Sequence, residues 1–306
     1  MEFRSLRESE LDAWAEHCGS VFSGEGHGVD QSYFLRHYFD DPWRDINGIF
    51  VADDNGRIAS TVRVFRRKVW LFGCEVGMGG IGEVSTKSEY RGQGLAGALL
   101  KMAAQWMAAE GMPVSLLFSS NFDFYRKYGW ECISKPVRSY ARASGLPCEG
   151  RAMEPGDITA LAAVDAAAVR TNWAVVREDQ AYWQTWMKAA IGKCVVATQG
   201  GRIVAWMAYS LHGEDWAVEE FKALPGYEDR FDALCALAAA AEGRGGQPFW
   251  APAWLPTNLT AAGETVHMYS MVRLNTPFEA GACALETTRQ LIEASAECRD
   301  SGLDHF

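Results

Sequence analysis

A mixed α/β (α+β) fold made of two related halves is what this sequence predicts, and three observations carry that expectation. Strand-like runs alternate with amphipathic helical runs, and the first half closes on a strand–helix–strand unit. Short stretches of the first half recur in the same order in the second. Val51-Ala52-Asp53-Asp54-Asn55-Gly56-Arg57-Ile58 resembles Val196-Ala197-Thr198-Gln199-Gly200-Gly201-Arg202-Ile203, Asp30-Gln31-Ser32-Tyr33-Phe34 resembles Asp179-Gln180-Ala181-Tyr182-Trp183, and the start at Leu6 parallels the one at Met153. Finally, one strand runs into a glycine loop that opens a helix. With 306 residues, 48% of them hydrophobic, the chain has material for two domains. Turn formers at Ser144-Gly145-Leu146-Pro147 set the expected domains at 1–145 and 146–306.

The elements follow in order. A short strand at 2–5 leads to a helix over about 8–22, a glycine-rich loop from Ser23 to Gly28, and a second helix from about Asp30. Strands are expected at 46–53 and 57–72, joined by Asn55-Gly56, and at 81–86. A helix over about 95–110 stops at Gly111, and Val114-Ser115-Leu116-Leu117-Phe118 is a buried strand. In the second half, strands are expected at 193–198, 202–211 and 216–223, a helix at 229–242, further strands at 248–255 and 267–274, and an amphipathic helix over 278–298.

Composition excludes several classes. The net charge of −10 and the absence of a Lys/Arg block argue against a nucleic-acid binder, and Arg66-Arg67-Lys68, the densest basic run, reads as the exposed face of a strand. No apolar run approaches membrane-spanning length, and the N-terminus lacks a signal-peptide core, so the expectation is a cytoplasmic protein with no membrane partner. The eight cysteines are scattered without a CxxC pair, which suits structural thiols and no metal site.

The chemistry sits in Gly82-Glu83-Val84-Ser85-Thr86, followed after four residues by Arg91-Gly92-Gln93-Gly94-Leu95-Ala96-Gly97. The first N–H groups of a helix lack internal partners and the helix dipole adds positive potential there, so this junction suits a phosphate or pyrophosphate. A Walker loop would need Lys-Ser/Thr after the last glycine, and a dinucleotide fingerprint would follow the first strand of its unit. This loop does neither. Beyond the next helix and strand comes Ser120-Asn121-Phe122-Asp123-Phe124-Tyr125-Arg126-Lys127-Tyr128-Gly129-Trp130.

Together, Arg91-Gly92-Gln93-Gly94-Leu95-Ala96 and Phe124-Tyr125 with Tyr128-Gly129-Trp130 resemble the two signature motifs of the GNAT (GCN5-related N-acetyltransferase) superfamily, with Trp130 where Phe is usual. The resemblance implies a mostly antiparallel mixed sheet flanked by helices, with acetyl-CoA between two splayed strands. By match, Val84, Ser85 and Thr86 would hold the pantetheine arm. Arg91, Gly92, Gln93, Gly94, Leu95, Ala96 and Gly97 would surround the pyrophosphate, and Ser120 and Asn121 would line the thioester side. Asn121 also reads as a helix N-cap. Tyr125 would protonate the departing CoA thiolate.

Two such halves, the second with Leu224-Pro225-Gly226-Tyr227-Glu228-Asp229 in place of a phosphate loop, resemble the enhanced-intracellular-survival (Eis) group. The resemblance implies a degenerate second domain and an acceptor such as an aminoglycoside, a polyamine or a lysine side chain. Members of the group are often homo-oligomers. The group's usual third, sterol-carrier-like domain does not fit within 306 residues. Candidates for the base are Glu83, through a water, and the carboxylate of Phe306, which in this group enters the active site. Glu83 reads equally as an ion-paired carboxylate. Candidate acceptor contacts are Glu25, Asp30, Tyr33 and Phe34, with Glu219 and Glu220 from the second half, since carboxylates and aromatics suit a small cationic amine. A protein-lysine acetyltransferase and a non-catalytic acyl-CoA sensor are the competing readings.

Overall fold

The computed structural model describes residues 1–24, 28–143, 148–170, 172–213 and 215–295. The strands are β1 Glu2–Ser5, β2 Ile49–Asp54, β3 Arg57–Leu71, β4 Cys74–Thr86, β5 Val114–Phe118, β6 Glu131–Cys132, β7 Lys135–Tyr140, β8 Gly150–Ala152, β9 Lys193–Gln199, β10 Arg202–His212, β11 Asp215–Ala223, β12 Phe249–Pro252, β13 Gly263–His267, β14 Ser270–Leu274, β15 Phe278–Ala280 and β16 Cys283–Leu285. The main helices are α1 Leu11–Gly24, α2 Gln31–Phe39, α3 Leu95–Ala109, α4 Phe122–Arg126 and α5 Ile158–Ala167. After them come α6 Gln180–Tyr182, a π-helical stretch Trp183–Met187, α7 Lys188–Ala190, α8 Arg230–Ala241 and α9 Thr288–Ser295. None is long and apolar enough to cross a membrane.

The chain forms two compact units. The first contains 1–133 and takes back the chain from Met268, so its sheet runs β1-β2-β3-β4-β5-β14-β6. The second begins at Ser134, and its sheet runs β13-β7-β12-β11-β10-β9-β8. The division therefore lies at Ser134 and again at Met268, whereas turn composition pointed to 145. In the first sheet only β4–β5 is parallel, and in the second only β11–β12.

Strand alternation explains the layers of the first unit. Phe50, Ala52 and Ala59 face one way and pack with Leu99, Leu100, Ala103 and Met107 of α3. Ile49, Val51 and Ile58 face the other way, against Trp14 and Cys18 of α1 and Phe34 and Tyr38 of α2. Side chains four apart, Trp14 with Cys18 and Phe34 with Tyr38, supply the helical stripe. The β2–β3 and β9–β10 turns are two-residue hairpins with positive φ at Asn55 and Gly56 and at Gly200 and Gly201, as those residue pairs predict.

The second unit repeats the hydrogen bonding of the first. Arg4 grips Glu10 through two bonds of 2.8 and 2.7 Å, and Arg151 grips Asp157 through two of 2.6 and 2.9 Å. Glu10 accepts from the Arg7 N–H, and Asp157 accepts from the Glu154 N–H. The Leu6 N–H donates to the Ile49 carbonyl, and the Met153 N–H to that of Cys194. Asp30 and Asp179 each cap the helix that follows.

Three expectations are corrected. The strand expected at 81–86 begins at Cys74, because Phe72 and Gly73 adopt the positive φ of a hairpin turn. The segment 267–274 is not one strand, since β13 ends at His267 and β14 begins at Ser270 in the other sheet. Phe278 to Cys298 is not one helix. Ala280 and Leu285 are buried on the β15–β16 hairpin, whose turn holds Gly281 at positive φ. Helix α9 starts only at Thr288, where a capping box closes: Gln290 Oε1 accepts from the Thr287 N–H, and Thr287 Oγ1 accepts from the Gln290 N–H.

Candidate active site

Strands β4 and β5 part company at one end of the first sheet. Their parallel pairing runs from Met78–Val114 to Ile81–Leu117 and stops there, although β4 continues to Thr86 along β3. At the divergence β4 bulges. Thr61 faces Ser85 and Arg63 faces Gly82, so Glu83 and Val84 together oppose Val62, and Glu83 takes φ 53. A non-glycine residue held left-handed costs about 1–2 kcal/mol, so the surrounding contacts must hold Glu83 in place.

The strand edge beyond the bulge is anchored from behind. Val84 packs with the α3 cluster. Ser60 Oγ donates to the Ser85 carbonyl at 2.9 Å and lies 2.8 Å from Thr86 Oγ1. His17 of α1 is buried with Nδ1 2.9 Å from the Ile58 carbonyl and Nε2 3.1 Å from Ser85 Oγ. Burial pushes its pKa down to about 4, so the ring is neutral, donating from Nδ1 and accepting from the serine.

From Thr86 the chain passes through a 3-10 turn at Ser88–Tyr90 into the glycine loop. Arg91 Nε donates to the Thr86 carbonyl at 3.2 Å, which ties the loop back to the strand. Gly92 and Gly94 have φ 77 and 76 and Gln93 between them is exposed, while Leu95, buried, starts α3. The loop and the first turn thus present backbone amides at a helix N-terminus with no acidic side chain in that turn. Gly97 serves packing: a Cβ there would fall 1.8 Å from the Tyr128 hydroxyl, so the glycine admits that ring against α3.

Beyond β5, Asn121 occupies the N-cap position of α4, but its side chain makes no capping bond, and both Ser120 and Asn121 are exposed. Tyr125 is half-buried, packed against Phe124 with ring centroids 5.0 Å apart, and desolvation of its hydroxyl pushes the phenol up to about 12. It is therefore protonated at neutral pH, the form an acid requires. The Tyr125 carbonyl accepts from the N–H groups of Tyr128 and Trp130, and Gly129 turns the chain with φ 89. Arg273, from the returning strand β14, braces this turn. Its Nε donates to the Tyr128 carbonyl at 3.0 Å and its guanidinium lies 5.3 Å from the Trp130 ring.

Glu83 heads a buried chain of charges that sequence reading missed. Its Oε1 lies 3.0 Å from His37 Nδ1, and Arg63 Nη1 reaches its two oxygens at 3.3 and 3.5 Å. Arg63 Nη2 lies 3.5 Å from Asp41, which Arg67 also meets at 3.1 Å. Arg63 stacks on Phe65, 3.9 Å from the ring centre. Arg67 is thus buried, not part of an exposed basic face, while Arg66 bonds Asp45 and Glu110. The signal available was Arg63 inside the apolar run of β3: a charge in a strand covered on both faces needs partners.

The expected acceptor residues differ in their surroundings. Asp30 is exposed at the start of α2, accepting from Ser32 Oγ and the Tyr33 N–H. Tyr33 is half-buried and stacks on His37 at 5.2 Å. Phe34 is only 2% exposed and belongs to the core with Trp14, so its ring is not presented to solvent. In the second unit, Glu219 accepts from Ser210 Oγ, and Glu220 is buried and gripped by both Arg177 nitrogens at 2.9 and 3.0 Å. Glu25 and Phe306 lie outside the described residues.

The matching junction of the second unit is built differently. The strand β11 leaves its parallel partner β12 after Ala217–Trp250 and leads through Leu224–Asp229 to α8. There the Gly226 N–H is taken by the Glu228 carboxylate at 2.9 Å, so the protein's own anion occupies an amide that a phosphate would use. Asp232, in the first turn of α8, accepts from Thr257 Oγ1 and the Asn258 N–H and fastens the following loop over that helix end. Among the described residues no cluster of His, Cys, Asp or Glu could hold a metal ion.

Residues 2–133 match the family model described as an acetyltransferase (GNAT) domain. Among solved structures, the chain is similar to a protein of Enterococcus faecalis V583 titled "probable N-acyltransferase", with a TM-score of 0.70 and 17% identity over 92% of this chain and 76% of that one. It is similar to a GCN5-related N-acetyltransferase from Kribbella flavida, with a TM-score of 0.64 and 18% identity over 92% and 74% of the two chains. Eis1 from Mycobacterium abscessus aligns with a TM-score of 0.62 and 15% identity over 92% and 78%. At these identities the likeness is one of fold. No sequence among curated proteins matches the chain.

Proposed function

We propose that this chain, whose residues 2–133 match the GNAT acetyltransferase domain model, is an acyltransferase that transfers the acetyl group of acetyl-CoA to a primary amine of a small cationic acceptor. One observation carries the reading. Within the first unit, the free edge of β4 leads into a positive-φ glycine loop at the N-terminus of α3, and a protonated phenol stands on α4 just after β5. Backbone groups of Val84, Ser85 and Thr86 would pair with the pantetheine amides. The amides from Arg91 to Gly97 would bind the pyrophosphate, and Ser120 and Asn121 would flank the thioester.

The amine nitrogen attacks the thioester carbonyl, the C–N bond forms as the C–S bond breaks, and Tyr125 gives its proton to the departing sulfur. The ammonium proton leaves toward Glu83 at the bulge. Asp30 and Tyr33 at the start of α2 are proposed acceptor contacts, a carboxylate and a ring suited to a cation. The second unit reads as a degenerate copy of the first, supported by the repeated Arg4–Glu10 and Arg151–Asp157 pairs and by Glu228 at its loop.

The test is CoA thiol release with acetyl-CoA and a panel of polyamines, aminoglycosides and lysine peptides. Release with the small amines, and acetylated product by mass, is the expected result. Release with peptides alone would move the acceptor to protein lysines. Acetyl-CoA binding without release for any amine would overturn the enzymatic reading.

A further inference from the structure

We propose that Arg273 is a positioning residue for acetyl transfer: from the returning strand β14 it fixes the turn that sets Tyr125 toward the departing sulfur. This deepens the acetyl-transfer reading above and rests on it. Tyr125 lies one residue before the end of α4, a helix of five residues. A helix that short has almost no stability of its own, so contacts from elsewhere must hold it. A proton donor works only within hydrogen-bond reach, so those contacts decide whether the phenol can serve.

The contacts come from the chain that returns after Met268. Before α4, the Ser119 N–H donates to the Tyr269 carbonyl at 2.9 Å. After β6, the Ile133 N–H donates to the Ser270 carbonyl at 3.0 Å. Strand β6 itself joins the sheet on β14, with Glu131 facing Val272 and Cys132 facing Met271. Backbone pairing of this kind fixes the ends of the segment whatever side chains β14 carries. The turn between them is gripped by a side chain. Arg273 Nε donates to the Tyr128 carbonyl at 3.0 Å, and the Tyr128 N–H donates to the Tyr125 carbonyl at 2.9 Å. One residue thus links the guanidinium to the residue that bears the phenol.

The surroundings of Arg273 suit that task. Gly129 has φ 89, and a Cβ there would fall 3.1 Å from Arg273 Nε, so the glycine lets the guanidinium close on the carbonyl. Arg273 Nη1 donates to Asn275 Oδ1 at 2.5 Å, and Asn275 Nδ2 donates to the Met112 carbonyl at 2.9 Å, which ties the fork to the chain entering β5. Burial pushes the pKa of Arg273 down, and among the described residues no carboxylate offsets that cost. The cation is placed instead against a carbonyl just past the C-terminal end of α4, where positive charge is favoured. Arg273 makes and breaks no bond. It keeps the donor in place while the C–N bond forms, the C–S bond breaks and the Tyr125 proton passes to sulfur. The match to the acetyltransferase domain ends at residue 133, yet the support of its acid extends to 269–275.

The test is a double-mutant cycle on kcat with an amine accepted in the panel. It compares the wild type, Arg273→Gln, Tyr125→Phe and the double replacement, with acetyl-CoA affinity and urea unfolding measured on each. Arg273→Gln should lower kcat about 10-fold, because a displaced donor costs rate, and should leave acetyl-CoA affinity unchanged. In the Tyr125→Phe background the same replacement should change kcat by less than about twofold, because no phenol remains to be misplaced. Arg273→Lys keeps the stem over Trp130 and one donor but loses the fork, so it should lower kcat by about threefold, and it carries the same cycle if the Gln variant does not fold. Equal losses in the two backgrounds, an unchanged kcat in Arg273→Gln or in Tyr125→Phe, or a fall in acetyl-CoA affinity on replacing Arg273 overturns the proposal while acetyl transfer stands. A wild type that acetylates no amine overturns both.

Discussion

Replacing Tyr125 by Phe should lower turnover by about 10²-fold and leave acetyl-CoA affinity nearly unchanged, because only the proton donor is removed. The ring remains, so the packing against Phe124 and the turn through Tyr128, Gly129 and Trp130 persist. What is lost is a phenol that burial holds protonated, with its pKa pushed up to about 12. Without it the thiolate must leave unprotonated or draw a proton from water. Steady-state rates at saturating acetyl-CoA, with calorimetry for the cofactor, check this. Unchanged turnover would remove Tyr125 from the mechanism, and a large loss of cofactor affinity would make its role structural.

Arg63→Ala should destabilise the protein by about 3–5 kcal/mol, the cost of breaking a buried ion pair from one side. Arg63 is 1% exposed and lies between Asp41 and Glu83. Its removal leaves Asp41 to Arg67 and the Trp43 N–H, and Glu83 to His37, and it empties the space above Phe65. Urea unfolding at pH 7 measures the change. A loss below about 1 kcal/mol would mean that water enters and solvates both carboxylates, which would contradict the dry, connected network described here.

Much of this architecture was legible because local and tertiary preferences agree. Asn55-Gly56 and Gly200-Gly201 make the hairpins that their chemistry requires, and α3 carries its apolar face at helical spacing. The glycine loop was readable because Gly92 and Gly94 do what few other residues can. Features made by long-range pairing were not readable. Nothing near Ser270 says that it will pair with Phe118, or that Lys135–Tyr140 will join β12 and β13 in the other sheet. Arg273, which braces the Tyr125 turn, was hidden for the same reason. Nothing in the sequence around His37 and Asp41 says that folding will place them against Glu83 and Arg63. Phe34 misled because an aromatic near a loop reads as a contact surface, yet its spacing to Tyr38 marks the core face of α2.

The central claim is that the first unit alone holds acetyl-CoA, on the amides of Arg91 to Gly97. Calorimetric titration of the full chain with acetyl-CoA tests it most directly, in the wild type and in a Gly92→Val, Gly94→Val variant. Valine at these positive-φ positions is strained, and its side chain obstructs the approach of an anion to the amides. One equivalent bound per chain, and none in the variant, is the predicted result. Two equivalents, or binding that survives the double replacement, would contradict it.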